Sequence, residues 1–416
     1  MTHVTVSRRG AMAGALAGSA LAVGSRRAWA QGKPLQIGLL QTLSGPLASV
    51  GQAHLTGARI AVKMINDAGG VDGRPLELAI RDSRANANDM VAGLRELAGA
   101  GINLIFGEAF TGPNLAAVPL APSLGVLYVC TSVTGMDFTH DLFNRNMFRA
   151  GPNAHMQYFG DAKTIVTKHP ELNRIGTFVA DSAGFRSAQV FFHAAFRKFY
   201  AEIGKKIELP DPVVAKVGAG DYRNQCNDLL GQKLDALMIC DAGGEMITFI
   251  RQARAMGLFN TIKVAGDTTY SPDLGPALRK EIPSNYYSFC TWYYDAYKEV
   301  PLAQAFFKAA SEQSKAPVLD PFLAQTHTAI TAIAEGVRRA RSTETDAVIK
   351  VMEGMTFDTV YGPLSFRPED HQLRVDSGYL RLGPDDTAEG WKVQDFVRIS
   401  WKETMEPASP GKKFEI

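Results

Sequence analysis

Leu35-Gln36-Ile37-Gly38-Leu39-Leu40 is a short apolar run, and in His54–Ala68 the residues Leu55, Ala58, Val62 and Ile65 recur at steps of three and four. The first stretch reads as a strand buried on both faces, the second as a helix with one apolar face. The pattern continues with a strand at Leu76–Ile80 and a helix over Asp89–Ala98 that aligns Met90, Leu94 and Leu97. Two more apolar runs follow at Ile102–Phe106 and Val126–Val129. Strands apolar on both faces and separated by helices call for a parallel sheet covered on both sides.

The series restarts after Phe148-Arg149-Ala150-Gly151-Pro152. Strands are expected at Ile175–Ala180, Val213–Val217, Leu234–Ile239 and Ile262–Ala265, with helices over Phe185–Ile203, Tyr222–Leu230 and Glu245–Met256 between them. Two successive series predict an α/β fold of two doubly wound parallel-sheet lobes. An aromatic strand, Tyr286–Tyr294, leads into helical stretches Leu302–Gln313, Phe322–Arg339 and Asp346–Met355, and Gly362 to Trp401 reads as short strands and turns. The second lobe is complete without this tail, so the chain is expected to return to the first lobe near Tyr294 and cross once more late. The expected division is 31–148 with 291–375 for one lobe and 149–290 with 376–416 for the other.

The 416 residues fit two or three domains at about 100–200 residues each. With 46% hydrophobic and 21% charged residues, a disordered chain is excluded. A formal charge of +2 gives no case for a nucleic-acid partner. Residues 1–30 contribute Arg8, Arg9, Arg26 and Arg27 and no acid; without them 40 basic residues face 42 acidic ones, a formal charge of −2. That segment has a polar start ending in Ser7-Arg8-Arg9, an apolar run Ala11–Gly24 and the tripeptide Ala28-Trp29-Ala30. This is the layout of an export signal, of twin-arginine type, cut after Ala30. The run is shorter than the roughly 20 residues that span a bilayer, so an exported, periplasmic protein is expected. Cys130, Cys226, Cys240 and Cys290 are scattered without metal-ligand spacing and read as buried free thiols.

The phosphate loop G-x-x-x-x-G-K-[ST], G-x-S-x-G and H-E-x-x-H are all absent, and neither Gly99-Ala100-Gly101 nor Gly218-Ala219-Gly220 has the third glycine of a dinucleotide loop. The eight histidines are isolated from one another, and His327 falls inside a helix. No catalytic residue, metal site or cofactor is expected. In parallel α/β sheets ligands sit at the carboxyl ends of strands. The first lobe offers Thr42–Pro46, Gly107–Gly112 and Cys130–Gly135 there, rich in hydroxyls and glycines that suit a carboxylate. The second offers Asp181–Phe185, Asp241–Glu245 and Gly266–Tyr270, each with an Asp. Any one of these residues also reads as an ordinary helix cap. The asymmetry across all six loops points to a zwitterion held between the lobes.

Leu39–Pro46, then Gly57-Ala58 and Ile65–Pro75, resemble the start of solute-binding proteins of the branched-chain amino acid type, which serve ABC transporters. Phe148-Arg149, Arg251–Leu258, Gly362–Phe366 and Asp370-His371-Gln372 extend the resemblance, in order, from about residue 34 to 400. It implies the type I periplasmic-binding fold, with three hinge crossings and closure on a small ligand for an inner-membrane permease, acting as a monomer. By position it implies that Thr111, Ser132 and Thr134 hold a ligand carboxylate and that Phe185 covers the ligand. The family's second aromatic wall falls near Ala242, so that wall is missing or moved, and the opening is bordered by Asp241. The acid that meets the ammonium falls at Thr268, one residue after Asp267. These departures argue against leucine-like specificity and open the pocket to longer, aromatic or more polar ligands. A secreted sensor module presenting an aromatic carboxylate or amide is the alternative, and an exported hydrolase is disfavoured by the missing nucleophile motif.

Overall fold

The structure, a computed structural model, describes residues 33–45, 47–314, 316 and 318–416. The export segment and its cleavage site at Ala30 lie outside the described residues.

Five strands form the first sheet: β1 (Leu35–Gln41), β2 (Leu76–Asp82), β3 (Leu104–Gly107), β4 (Leu127–Cys130) and β5 (Met147–Arg149), in the order β2-β1-β3-β4-β5. All neighbours are parallel. Helices α1 (Ala48–Asp67), α2 (Ala87–Gly99), α3 (Thr111–Ala117) and α4 (Ala121–Leu124) connect them. One face of this sheet packs Ile37, Leu39, Leu104 and Phe106 under α1, and the other packs Leu40, Ile105 and Tyr128 under α2.

The chain then passes through α5 (Ala154–Lys168) into a seven-stranded sheet. It contains β6 (Ile175–Ala180), β7 (Val213–Ala215), β8 (Ala236–Cys240), β9 (Val264–Asp267) and β10 (Tyr286–Phe289), which run parallel in the order β7-β6-β8-β9-β10. This is the same order as in the first sheet. α6 (Ala183–Glu202), α7 (Arg223–Gly231), α8 (Gly243–Ala255) and α9 (Leu274–Leu278) link them. After β10 the chain returns to the first sheet with α10 (Tyr294–Tyr297), α11 (Pro301–Gln313), α12 (Pro321–Ala340), α13 (Thr345–Met352) and the ribbon β11 (Thr356–Thr359)–β12 (Gly362–Ser365). It crosses again at Val375-Asp376 and adds β13 (Ser377–Pro384) and β14 (Trp391–Ile399) antiparallel at the edge beside β10. The tail, read from sequence as short strands and turns, thus contributes two full edge strands. β13 is almost wholly buried, whereas the half-exposed pattern of β14 is weaker than the continuous runs of the parallel strands.

α12 lies along α1, and the crossing is close because of Gly57. A Cβ there would stand 2.7 Å from both the Leu323 Cα and carbonyl oxygen. The first and third crossings run side by side: Arg149 N donates to His371 O (3.1 Å) and Leu373 N to Arg149 O (3.0 Å). The Gln372 side-chain amide also reaches Gly151 O (2.8 Å). The helix α14 (Trp401–Thr404) and the end of the chain lie over these crossings. Trp401 and Met405 pack against the core of the first lobe, and Phe414 against that of the second. Among the described residues, no helix is long and apolar enough to cross a membrane.

Candidate functional site

With strand orders β2-β1-β3-β4-β5 and β7-β6-β8-β9-β10, each sheet reverses direction of winding between its first and third strand. The crevice past those strand ends is where a doubly wound sheet receives a ligand. In the first lobe it is built around Glu108, which follows β3 with a φ of 34° and is fully buried. Its carboxylate accepts from Thr42 Oγ1 (3.1 and 3.2 Å), from Ser83 Oγ and from Phe110 N (3.0 Å). Burial raises its pKa against the pull of these bonds. Gln41 Oε1 takes Ala109 N (3.1 Å), and the Asn114 amide ties Glu108 O and Phe110 O (3.1 and 2.8 Å). Gly107 is obligatory: at φ 133° its Cβ would lie 1.9 Å from Leu40 O. The loop that delivers Thr111 is therefore held rigidly from beneath.

Thr111 and the loop after β4 are brought together, since a Cβ on Gly135 would meet Thr111 Cγ2 at 2.7 Å. Thr111, Ser132 and Thr134 are each half-buried. Among the described residues, the Thr111 and Thr134 hydroxyls have no hydrogen-bond partner, so both can donate to a carboxylate. Ser132 differs. His54 is buried on α1, stacked on Phe322 with centroids 4.8 Å apart, and bridges Thr326 Oγ1 (2.7 Å, Nδ1) and Ser132 Oγ (2.9 Å, Nε2). Thr326 spends its single proton on Phe322 O (2.9 Å). It must therefore accept from His54 Nδ1–H. Burial pushes the His54 pKa down to about 3, so the ring is neutral and Nε2 is an acceptor. The Ser132 hydroxyl donates to it and offers only lone pairs to the cleft.

In the second lobe Asp241 directly follows β8 and is 3% exposed. Its Oδ1 accepts from Ala242 N (2.7 Å), while Oδ2 is buried without a partner. Burial raises its pKa to about 7. Ala242 caps α8 with extended backbone and no side-chain bond. Asp267 stands on the neighbouring strand, opposite Ile239. It is fully buried, and its carboxylate is held by Tyr286 OH (2.9 Å) and by Ser288 Oγ (2.7 and 2.9 Å). Thr268 donates to Asp241 O (3.3 Å), and its own carbonyl receives the Gln157 amide. Asp241, Ala242, Asp267 and Thr268 thus cluster, but only Asp241 keeps an oxygen free. Phe185, in the first turn of α6, is half-buried against the lobe's core, and Ser182 Oγ caps its N–H (3.3 Å). Asp181 is paired with Arg186 (2.6 Å) on the surface.

The four cysteines are free and buried. His327 is buried beside Thr331 Oγ1 (3.3 Å). Among the described residues no cluster of His, Cys, Asp and Glu could hold a metal ion. Sequence reading missed His54, Glu108 and Gln157. The signal for His54 was a lone histidine one residue from Leu55 on a helix face that is otherwise apolar.

Two α/β lobes whose parallel strands share one order, joined by connections of which the first and third run side by side, with strand-end loops rich in hydroxyls in one and acids in the other, define a two-lobed solute-binding protein. Residues 34–383 match the periplasmic binding protein family, and the chain belongs to it. It is 24% identical over 342 residues to the leucine-, isoleucine-, valine-, threonine- and alanine-binding protein of Pseudomonas aeruginosa, covering 80% of this chain and 85% of that one. It is 22% identical over 338 residues to the leucine-specific-binding protein of Salmonella typhimurium, covering 80% and 86%. Among solved structures, the branched-chain amino acid transporter substrate-binding protein of Streptococcus pneumoniae with isoleucine has a TM-score of 0.74 at 20% identity, covering 88% of this chain and 99% of that one. A solute-binding protein of Rhodopseudomonas palustris with 3,4-dihydroxybenzoic acid has a TM-score of 0.71 at 17% identity, covering 88% and 96%. These structures share the fold, type I of the periplasmic binding proteins.

Proposed function

We propose that the protein is the extracytoplasmic receptor of an ABC importer and binds a small amino acid, or a related amine-bearing acid or amide, between its lobes. The observation that carries this is the unpartnered Asp241 Oδ2 at the end of β8, buried in a chain whose other lobe presents the free hydroxyls of Thr111 and Thr134. A buried carboxylate oxygen without a donor costs free energy that a ligand ammonium removes. The ligand carboxylate takes Thr111 and Thr134, and Ser132 accepts from a ligand N–H or O–H. Of the two acids, Asp241 is the ammonium partner, and Asp267 supports the strand end through Tyr286 and Ser288. Phe185 and Ala242 border the side-chain end of the ligand, and Thr268 orients the Asp241 backbone. The relatives that bind leucine and alanine support an amino-acid ligand.

The lobes, 31–148 with 291–375 and 149–290 with 376–416, move as bodies about the crossings, and the permease recognises the closed form. The test is calorimetric titration of wild type and Asp241→Asn with a panel of amino acids, amides and aromatic carboxylates. Hydrogen bonds to charged groups contribute about 1.5–3 kcal/mol, so the variant should lose about tenfold or more in affinity for an amine-bearing ligand. Equal affinity in the variant, or binding by amine-free aromatic acids alone, would overturn the amino-acid reading.

A further inference from the structure

None of the strand-end residues lines the cavity of about 300 Å3 that opens between the β11–β12 ribbon and the end of β14. Its walls include Tyr297, Ser365, Arg374, Asp376, Arg398 and Trp401. We infer that this cavity is a second binding site, behind the hinge, for a small carboxylate with a flat apolar body.

The volume is at the lower end of the ~300–1,000 Å3 of small-molecule sites. The charge is unbalanced. Arg374 has no carboxylate within ion-pair distance among the described residues. Its guanidinium lies over the Trp401 ring at 5.3 Å and touches Ser365 Oγ only at 3.5 Å, and its Nε is buried without an acceptor. Arg398 lies over the Tyr297 ring at 5.7 Å, with Nε 3.4 Å from Asp376 Oδ2. The other oxygen of Asp376 is taken by Trp401 N (3.0 Å). Two guanidinium groups therefore share a cavity with one carboxylate, which pairs only with Arg398 and is also taken by Trp401 N. A planar carboxylate matches the guanidinium fork, and the Trp401 and Tyr297 rings supply a surface for an apolar body.

The site also straddles the hinge. Arg374 belongs to the first lobe, with its N–H on Ser365 O (2.9 Å), whereas Arg398 is on β14 opposite Gly378 in the second sheet. Val375 and Asp376, the third crossing itself, complete the wall. An occupant that engages both arginines links the lobes at one hinge angle, and its affinity is coupled to the angle.

The experiment uses benzoate as the probe on the mature protein, by calorimetry and by amide hydrogen exchange. Arg374→Gln and Arg398→Gln, both at partly exposed positions, are checked for native circular dichroism, and Thr134→Val serves as the variant of the other site. Benzoate should bind in the millimolar range, with affinity reduced about tenfold in each arginine variant and unchanged in Thr134→Val. It should slow exchange at Val375–Ser377 in wild type but not in Arg374→Gln. Absence of millimolar binding overturns the site, as does binding that both arginine variants retain or that Thr134→Val removes. Specific binding that leaves exchange at the crossing unchanged overturns the coupling to the hinge.

Discussion

A hydroxyl has one proton, and at Ser132 its destination is fixed two residues away. Thr326 donates to its own helix, His54 donates to Thr326, and Ser132 donates to His54. Ser132→Ala should therefore weaken ligands that present an amine, by about 0.5–1.5 kcal/mol for a single bond of this kind. The affinity of ligands that offer only acceptors should be unchanged, and parallel titrations distinguish the two. Asp241 adds a pH dependence. Its carboxyl is raised from 3.8 to about 7, so between those values the folded protein holds a proton that the unfolded chain has lost. Stability from this group falls as pH rises through that interval and levels off above it. His54 acts in the opposite sense between about 3 and 6.5, because there the unfolded chain binds the extra proton. The difference between wild type and Asp241→Asn isolates the carboxyl: thermal unfolding should show the variant gaining relative stability as pH rises from about 4 to 7. Ammonium binding favours the ionised carboxylate, so affinity for an amine-bearing ligand should rise over the same range in wild type and stay flat in the variant. Sequence placed Asp241 and Ser132 at strand ends. It could not tell which oxygen of which acid stays free, because that depends on Tyr286 and Ser288 from the next strand.

The parallel strands were legible because most are apolar on both faces, as at Leu104–Gly107 and Ala236–Cys240, and the helices between them because one face is. What escaped was set by long-range fit. β14 mixes exposed and partly buried residues, and the buried β13 carries Gly378 and Gly383, so their pattern resembles turns until the edge of the second sheet is there to receive them. The pairing of α1 with α12 is likewise invisible locally, since its determinant is Gly57 against the backbone of Leu323. Gly57→Ala should separate the two helices and cost about 1–3 kcal/mol, as overpacking does, read by chemical denaturation. Gly107→Ala should cost at least as much, because a positive φ adds to the clash with Leu40 O. It should also weaken ligand binding, because Thr111 is carried by the same loop.

Two lobes, each with its own core, were expected from the repeated series, and the late return of the chain from the position of the helices after Tyr294. The involvement of the last residues in both lobes was not, because Trp401 and Met405 pack against the core of the first lobe from a segment with no periodicity of its own. Hinge closure predicts a smaller radius of gyration on adding ligand, measured by small-angle scattering. An unchanged profile at saturating ligand would argue against closure. The interleaving of segments also has a consequence for how the molecule is made. The first sheet lacks α12 and α13 until the chain has been synthesised well past residue 340, and the second lacks its β13–β14 edge until later still. Neither half is a continuous stretch that can finish as it leaves the ribosome. Contacts between distant parts of a chain form slowly, so completion of both halves waits for the carboxyl terminus. Loss of the last strand should therefore impair the whole molecule and not the second half alone.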